Sequence, residues 1–287
     1  MPELTLATQA VACALCGAEN HRPVCWNDSL RIVQCTGCGM VFVNPQPTQS
    51  ALLEYYAAQD LMEQDGWSSY FRHRPEQIHE LWQRRFADMQ RWKNGPGVRL
   101  LDVGSGCGDF LHQALQAGWE VRGFEFSPAV AEVSRRKYGI AVEVSVIFDL
   151  RDHDNSFDAV AMWHVLEHMR DPLGALRRCR ELLAPGGLLA LEVPNLNFLA
   201  RKSYRYPLSL NLHLYHFSPA TLSGIVRKAG FEVLECRRGH TGYLYRSKAK
   251  IYAKKCLYGI SQQAEKLLGI NMSDSIRLYA AKSRSRV

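Results

Sequence analysis

An open, doubly wound α/β sheet of seven mostly parallel strands, preceded by a small cysteine ribbon, is the fold this chain predicts. Three observations predict it. From residue 98 onward, apolar runs of strand length alternate with amphipathic segments of helix length. The first run leads into Asp102-Val-Gly104-Ser-Gly106-Cys-Gly108, the signature of a strand, a tight glycine turn and a helix start. Upstream of this, two Cys-x-x-Cys pairs stand close together.

Those pairs, Cys13-Ala-Leu-Cys16-Gly17 and Cys35-Thr-Gly-Cys38-Gly39, are separated by 18 residues, a spacing at which two knuckles converge on one tetrahedral zinc. The glycine after each pair permits the sharp turn that faces backbone amides toward thiolates. Four thiolates would close the coordination shell, so Cys13, Cys16, Cys35 and Cys38 are expected to hold a structural zinc. His21 and Cys25 lie between the knuckles as substitute ligands. Val41-Phe42-Val43 reads as the ribbon's last strand, and Asn44-Pro45-Gln46-Pro47 as its end.

Thr48 can cap a helix through Tyr56, and Pro75 can start a second one reaching about Trp92. Ile78, Leu81, Trp82, Phe86, Met89 and Trp92 follow helical spacing, which suits a lid or lateral helix packed on the main domain. Asn94-Gly95-Pro96-Gly97 then punctuates the chain. The expected organisation is a ribbon over 1–47, a helical linker or lid over 48–97, and a main domain over 98–287.

Within that domain the pattern predicts strands at 98–103, 121–124, 141–144, 157–162, 188–193, 231–236 and 275–281. Helices are expected at 109–117, 128–138, 172–183 and 221–229. Such a sheet binds its ligand at the carboxyl ends of the strands. At about 244–270 a basic helical insertion is expected. Tyr252, Cys256, Ile260, Ala264 and Leu267 share a face, while Lys248, Lys250, Lys254 and Lys255 do not gather on the other. The segment suits a packed or dimerising helix better than a membrane-surface helix, although peripheral membrane contact stays open.

With 47% hydrophobic residues, the 287-residue chain can bury a full core. No apolar run is long enough to span a bilayer, and the N-terminus lacks a signal-peptide pattern. Nine cysteines, four of them in metal-type pairs, suit a reducing compartment, and a cytoplasmic location is expected. The net charge of +7 is concentrated at the end. Residues 237–287 hold 12 Lys and Arg against 2 Asp and Glu, leaving 23 against 26 in the rest of the chain. A basic surface of this kind serves an anionic partner or simply solubility.

A glycine turn after a strand is shared by several nucleoside-binding classes, and so is an acidic residue ending the second strand, here Glu125. The glycines alternate here instead of following Gly-x-Gly-x-x-Gly. LDVGSGCGDFL, GFEFSPA, FDAVAMWHVLEHMRDP and LLAPGGLLALEVPN together, in this order, resemble the class I S-adenosylmethionine-dependent methyltransferases, a Rossmann-like family. The resemblance is nearest to the branch of ubiquinone-biosynthesis and sugar methyltransferases. It covers about 98–236 plus the seventh strand, and CGMVFVNPQPT resembles zinc ribbons fused to such enzymes.

This resemblance implies S-adenosylmethionine as cofactor, with Asp102, Gly104, Ser105 and Gly106 around its methionine portion and Glu125 on the ribose. Phe126 would lie beside the adenine, Asp149 would face the adenine amino group, and Trp163 and His164 would line the methyl-bearing side. The lead-in to Asp149, VSVIFDL, departs from the family's short form. HVLEH and LHLYHFS also resemble sugar C-methyltransferase segments that contribute catalytic histidines, which implies His168 and His213 as candidate bases. Leu210 stands where that family has tyrosine. The plain alternative for Glu167 and His168 is a hydrogen bond that fixes the loop.

The expected function is methyl transfer to a small-molecule, glycan or lipid-linked acceptor, with a hydroxyl favoured. An RNA methyltransferase is the alternative, motivated by ribbon and basic segment. Against it, Arg22 and Arg31 are the only Lys or Arg between residues 11 and 43, with no aromatic and basic interleaving. A sugar C-methyltransferase and a non-enzymatic binding module on the same fold are further alternatives. No feature of the sequence reads out the oligomeric state.

Overall fold

The computed structural model describes residues 6–27, 30–58, 75–151, 154–197, 213–239 and 273–283. The expected insertion at 244–270 lies outside the described residues.

The N-terminal ribbon is an antiparallel meander of β2 (His21–Asn27), β3 (Leu30–Cys35) and β4 (Val41–Val43). Ile32, Val33 and Phe42 are fully buried, and β4 shows no exposed face at all. The reason lies far down the chain. A two-residue strand, Tyr215–His216, pairs antiparallel with the free edge of β4 and makes a four-stranded sheet. Beside it, β1 (Thr8–Gln9) pairs with β5 (Gln46–Pro47). Thr48 accepts from the Ala51 amide at 3.2 Å and opens α1 (Gln49–Ala58) as expected.

The main sheet contains β6 (Arg99–Val103), β7 (Glu120–Glu125), β8 (Glu143–Val144), β9 (Phe157–Trp163), β10 (Leu183–Pro194), β12 (Phe231–Gly239) and β13 (Ser275–Lys282). The Tyr215–His216 strand is β11. In space the order is β12-β13-β10-β9-β6-β7-β8, with β13 antiparallel to both neighbours and β10 through β8 parallel. Seven mostly parallel strands were expected, and this is the arrangement found. The largest boundary difference is at β10, which begins five residues early because Leu183 already pairs with Phe157 ahead of an irregularity before Leu188; β12 runs three residues further than expected and β8 starts two residues later.

Helices flank the sheet: α2 (Pro75–Gln90), α3 (Asp109–Gln116), α4 (Pro128–Tyr138), α5 (Pro172–Leu182) and α6 (Pro219–Lys228). Three of them start from a capping residue followed by proline at N1. Ser127 caps Val130, Asp171 caps Gly174, and Ser218 forms a capping box with Thr221.

Side chains alternate across the strands, so the sheet feeds two cores. On one face Leu101, Val160, Met162, Leu189 and Leu191 pack with α5, α6 and the ribbon in a single continuous cluster. On the other, Leu100, Ala159, Ala161 and Leu188 meet Phe86 and Met89 of α2 and Phe110 of α3. α2 is therefore a lateral helix on the sheet, as its stripe predicts. Trp92 falls beyond its end and is 37% exposed. No helix among the described residues is long and apolar enough to cross a membrane.

Candidate active site

The carboxyl ends of β6, β7 and β9 converge on the glycine turn. β6 delivers Asp102, 1% exposed, whose Oδ1 has no hydrogen-bond partner among the described residues. Burial pushes its pKa well above the ordinary carboxylate value, the Arg85 charge pulls it back, and Glu125 adds to the rise. Gly104, Gly106 and Gly108 all have positive φ, at 68°, 55° and 76°, for different reasons. A Cβ on Gly104 would stand 2.6 Å from Val165 Cγ2, and one on Gly108 would stand 2.1 Å from Ser134 Oγ. A Cβ on Gly106 would meet nothing within 4 Å. Two of these glycines thus serve packing, and Gly106 borders open space.

Glu125, at the end of β7, ties this loop down. Its Oε2 accepts from the Gly106 amide at 3.0 Å and its Oε1 from Ser127 at 3.1 Å. Burial raises its pKa against the pull of these amides. Ser105 is buried, with Oγ donating to the Phe124 carbonyl at 3.4 Å. Phe126 follows, partly exposed, and Asp149 is exposed on a 3-10 turn, Ile147–Asp149.

Trp163, 6% exposed, packs edge-on against Phe110 at 5.0 Å, and the Arg85 guanidinium stands 5.0 Å over its ring. The next residue, His164, has φ of 60°, a left-handed conformation uncommon for a side chain of its size. It is held between two fully buried carboxylates, Nδ1 3.3 Å from Glu167 Oε1 and Nε2 3.5 Å from Glu192 Oε1. Burial lowers its pKa, but the two carboxylates outweigh that and raise it.

Glu192 also anchors a buried ion cluster. Arg85 of α2 reaches it at 3.0 Å and Arg277 of β13 at 2.8 Å, while Arg277 and Arg237 both pair with Asp88. Burial would raise the Glu192 pKa, yet the two arginines hold it well below the usual range. Sequence reasoning missed these residues. The available signals were an arginine inside the apolar stripe of α2 and a glutamate inside the apolar run of β10.

The histidines expected on the acceptor side come together. Glu167 and His168 lie on a 3-10 turn after β9, and His213 reaches them from the segment before β11. The His168 and His213 rings are 4.7 Å apart at 76°. One ligand-type atom each of Glu167, His168 and His213 lies within 4.8 Å of the others, a donor set suited to a divalent cation as well as to proton transfer. His216 is 2% exposed within β11, 6.3 Å from the His213 ring.

The four cysteines cluster as well. Sγ atoms of Cys13 and Cys38 are 3.5 Å apart, those of Cys16 and Cys35 3.4 Å, and all four fall within 4.8 Å. A tetrahedral zinc with bonds of ~2.3 Å needs sulfurs about 3.8 Å apart, so the set fits that ion. Gly17 and Gly39 have positive φ, and knuckle amides face the sulfurs of Cys13 and Cys35. The substitute ligand His21 is instead engaged with Asn44 at 2.9 Å.

A methyltransferase domain family model matches residues 70–236. Among curated relatives, the ubiquinone biosynthesis O-methyltransferase of Xanthomonas campestris pv. campestris (strain B100) is 37% identical over 109 residues. That match covers 35% of this chain and 44% of that enzyme. The enzyme of the same name from Xanthomonas axonopodis pv. citri is 30% identical over 179 residues, covering 55% of this chain and 72% of that one. The fold recurs among solved structures. An Archaeoglobus fulgidus SAM-dependent methyltransferase has a TM-score of 0.55 at 22% identity, over 74% of this chain and 99% of the other. The cyclase SpnF has 0.51 at 23%, over 71% and 82%. At such identities the likeness speaks for the fold alone, and chemistry has to be argued from residues.

Proposed function

Because the chain belongs to the methyltransferase domain family, we propose that it transfers the sulfonium methyl group of S-adenosylmethionine to a small-molecule acceptor. A hydroxyl of a sugar, glycan precursor or isoprenoid-like lipid is the favoured acceptor, and the O-methyltransferase names of the relatives support oxygen. One observation carries the reading: a polar cradle in which Gly106 borders open space, Glu125 holds the loop by two amides, and Asp102 presents a buried oxygen with no partner among the described residues.

When bound, the sulfonium supplies an already activated methyl group, so the chain has chiefly to align the acceptor and exclude water. Asp102 offers its Oδ1 to the ammonium of the methionine portion. Glu125 keeps lone pairs for the ribose hydroxyls beyond those used by its two amides. Gly104 and Ser105 shape the loop, and Phe126 and Asp149 would flank the adenine. Trp163 and His164 would line the methyl-bearing side. His213, with His168 beside it, takes the proton from the acceptor hydroxyl, since a neutral imidazole accepts protons near pH 7. The four ribbon cysteines hold a structural zinc, which suits a reducing, cytoplasmic setting.

The closeness of Glu167, His168 and His213 favours a second reading, in which these three hold a divalent cation that takes the acceptor oxygen. Metal analysis separates the two: one ion per chain supports the base, and a second ion lost in His213→Ala supports the cation. The main test is calorimetry with S-adenosylhomocysteine, then transfer of labelled methyl into fractionated cell extract. Binding with label entering lipid, glycan or small-molecule pools is expected, and His213→Ala should spare binding while lowering turnover at least tenfold. Label in RNA alone, or no binding, would overturn the proposal.

A further inference from the structure

The segment carrying His213 is held from two sides by main-chain bonds. Its Leu214 carbonyl accepts from the Val43 amide of the ribbon at 2.9 Å, and its Leu214 amide donates to the Glu167 carbonyl at 2.8 Å. One peptide group on each side of Leu214 thus joins ribbon strand β4 to the turn that bears His168. Side chains repeat the link. Phe42, fully buried in β4, lies opposite Tyr215 in the ladder and stacks on it at 6.1 Å and 20°. The Tyr215 hydroxyl donates to the Arg170 carbonyl at 3.1 Å, just past the His168 turn. The glycine loop meets this turn at Val165 but donates its Gly106 amide to Glu125 of β7 and packs against Ser134 of α4.

We propose that Phe42 and Tyr215 are positioning residues for methyl transfer, making the cysteine ribbon a brace that holds His213 against His168. The inference rests on the reading of these histidines as acceptor-side groups. β4 follows Cys38 by three residues, and the Cys35 amide donates to the Met40 carbonyl at 2.8 Å across the knuckle. The metal site therefore sets the course of the strand on which the His213 segment lies.

The test uses the full chain, as purified, after removal of its metal by a chelator, and as Phe42→Leu and Tyr215→Leu, which keep the core apolar while deleting the ring stack. With histidines isotopically labelled, a nuclear Overhauser contact between the His168 and His213 rings is expected in the untreated protein, since their centres are 4.7 Å apart. It should vanish in all three altered forms while the affinity for S-adenosylhomocysteine stays within about twofold. With an acceptor in hand, kcat should fall at least tenfold. A ring contact that survives every alteration would overturn the brace, and so would cofactor affinity lost in step with the contact in all three forms. The ring contact and the cofactor affinity need no acceptor, so a chain that transfers no methyl group counts against the proposed reaction while the ring contact still judges the brace.

Discussion

Replacing Gly106 by alanine should cost the fold little and cofactor binding much, whereas Gly108→Ala should do the reverse. Both residues have positive φ, 55° and 76°, where an L-residue costs about 1–2 kcal/mol. For Gly106 that is the whole structural cost, because its new Cβ meets nothing within 4 Å. At Gly108 the Cβ would stand 2.1 Å from Ser134 Oγ and 2.9 Å from Ser134 Cβ, on a fully buried residue. Overpacking adds about 1–3 kcal/mol, for a total of about 2–5 kcal/mol. At roughly 2–4 °C per kcal/mol, thermal melts should separate the two variants clearly. Calorimetry with S-adenosylhomocysteine should then show Gly106→Ala binding at least tenfold more weakly, a loss of about 1.4 kcal/mol or more. Equal affinity for wild type and Gly106→Ala would refute the assignment of that open space to the cofactor.

Arg85→Met should destabilise the chain by about 3 kcal/mol in urea unfolding, since it takes one cation from buried Glu192 while Arg277 remains. A cost below about 1 kcal/mol would mean that the cluster does not anchor α2. His164→Asn keeps a residue tolerant of left-handed φ and removes the imidazole between Glu167 and Glu192. The His164 pKa is raised on folding, so its contribution is fully present below the unfolded value of about 6.5 and is lost as pH rises through the folded value. The stability gap between wild type and variant should accordingly be largest just below about pH 6.5 and shrink toward alkaline pH, as read from urea midpoints; a gap that grows with pH would contradict the assignment. Cys16→Ser should lose the single ribbon zinc in metal analysis and lower the melting temperature, and full retention of zinc would exclude Cys16 as a ligand.

The sheet was legible because its central strands are buried on both faces and read as unbroken apolar runs, such as Leu188 to Leu191 and Ala159 to Met162. The helix starts at Pro128 and Pro172 were legible because their caps, Ser127 and Asp171, act locally, whereas the third helix, expected from 221, begins two residues earlier at Pro219 behind the Ser218 cap. The ribbon cysteines were legible for the same reason, since each knuckle is a short-range turn. Two classes of feature were not. Strand β11 is two residues long and exists only because β4 offers it an edge from 172 residues earlier in the chain, counting Tyr215 to Val43, so no local pattern announces it. The Arg85–Glu192–Arg277 cluster joins three distant elements, and a charged residue in an apolar stripe does not name its partner. The glycine turn was legible as a cradle, but the division of labour among its glycines depends on Val165 and Ser134, which only the folded chain brings near.

That division connects the two halves of the site. Gly104 lacks a Cβ where Val165 approaches, and Val165 lies between His164 and the turn carrying Glu167 and His168. The glycine loop and the His168 turn are thus in direct contact through one glycine. His164 adds a second tie, because the strained residue is held at one nitrogen by Glu167 of that turn and at the other by Glu192, which Arg85 of α2 also grips. Left-handed strain of this kind persists only where surrounding contacts over-determine it. Two buried carboxylates and the His164 amide bonded to the Glu192 carbonyl at 2.8 Å supply that excess. The His168 turn is therefore tied to β10 and α2 through His164 and Glu192, and to the ribbon through the Leu214 segment. In the proposed reaction the acceptor has to stand in line with the bond that breaks, and a short turn tied both to the sheet and to the ribbon suits such alignment.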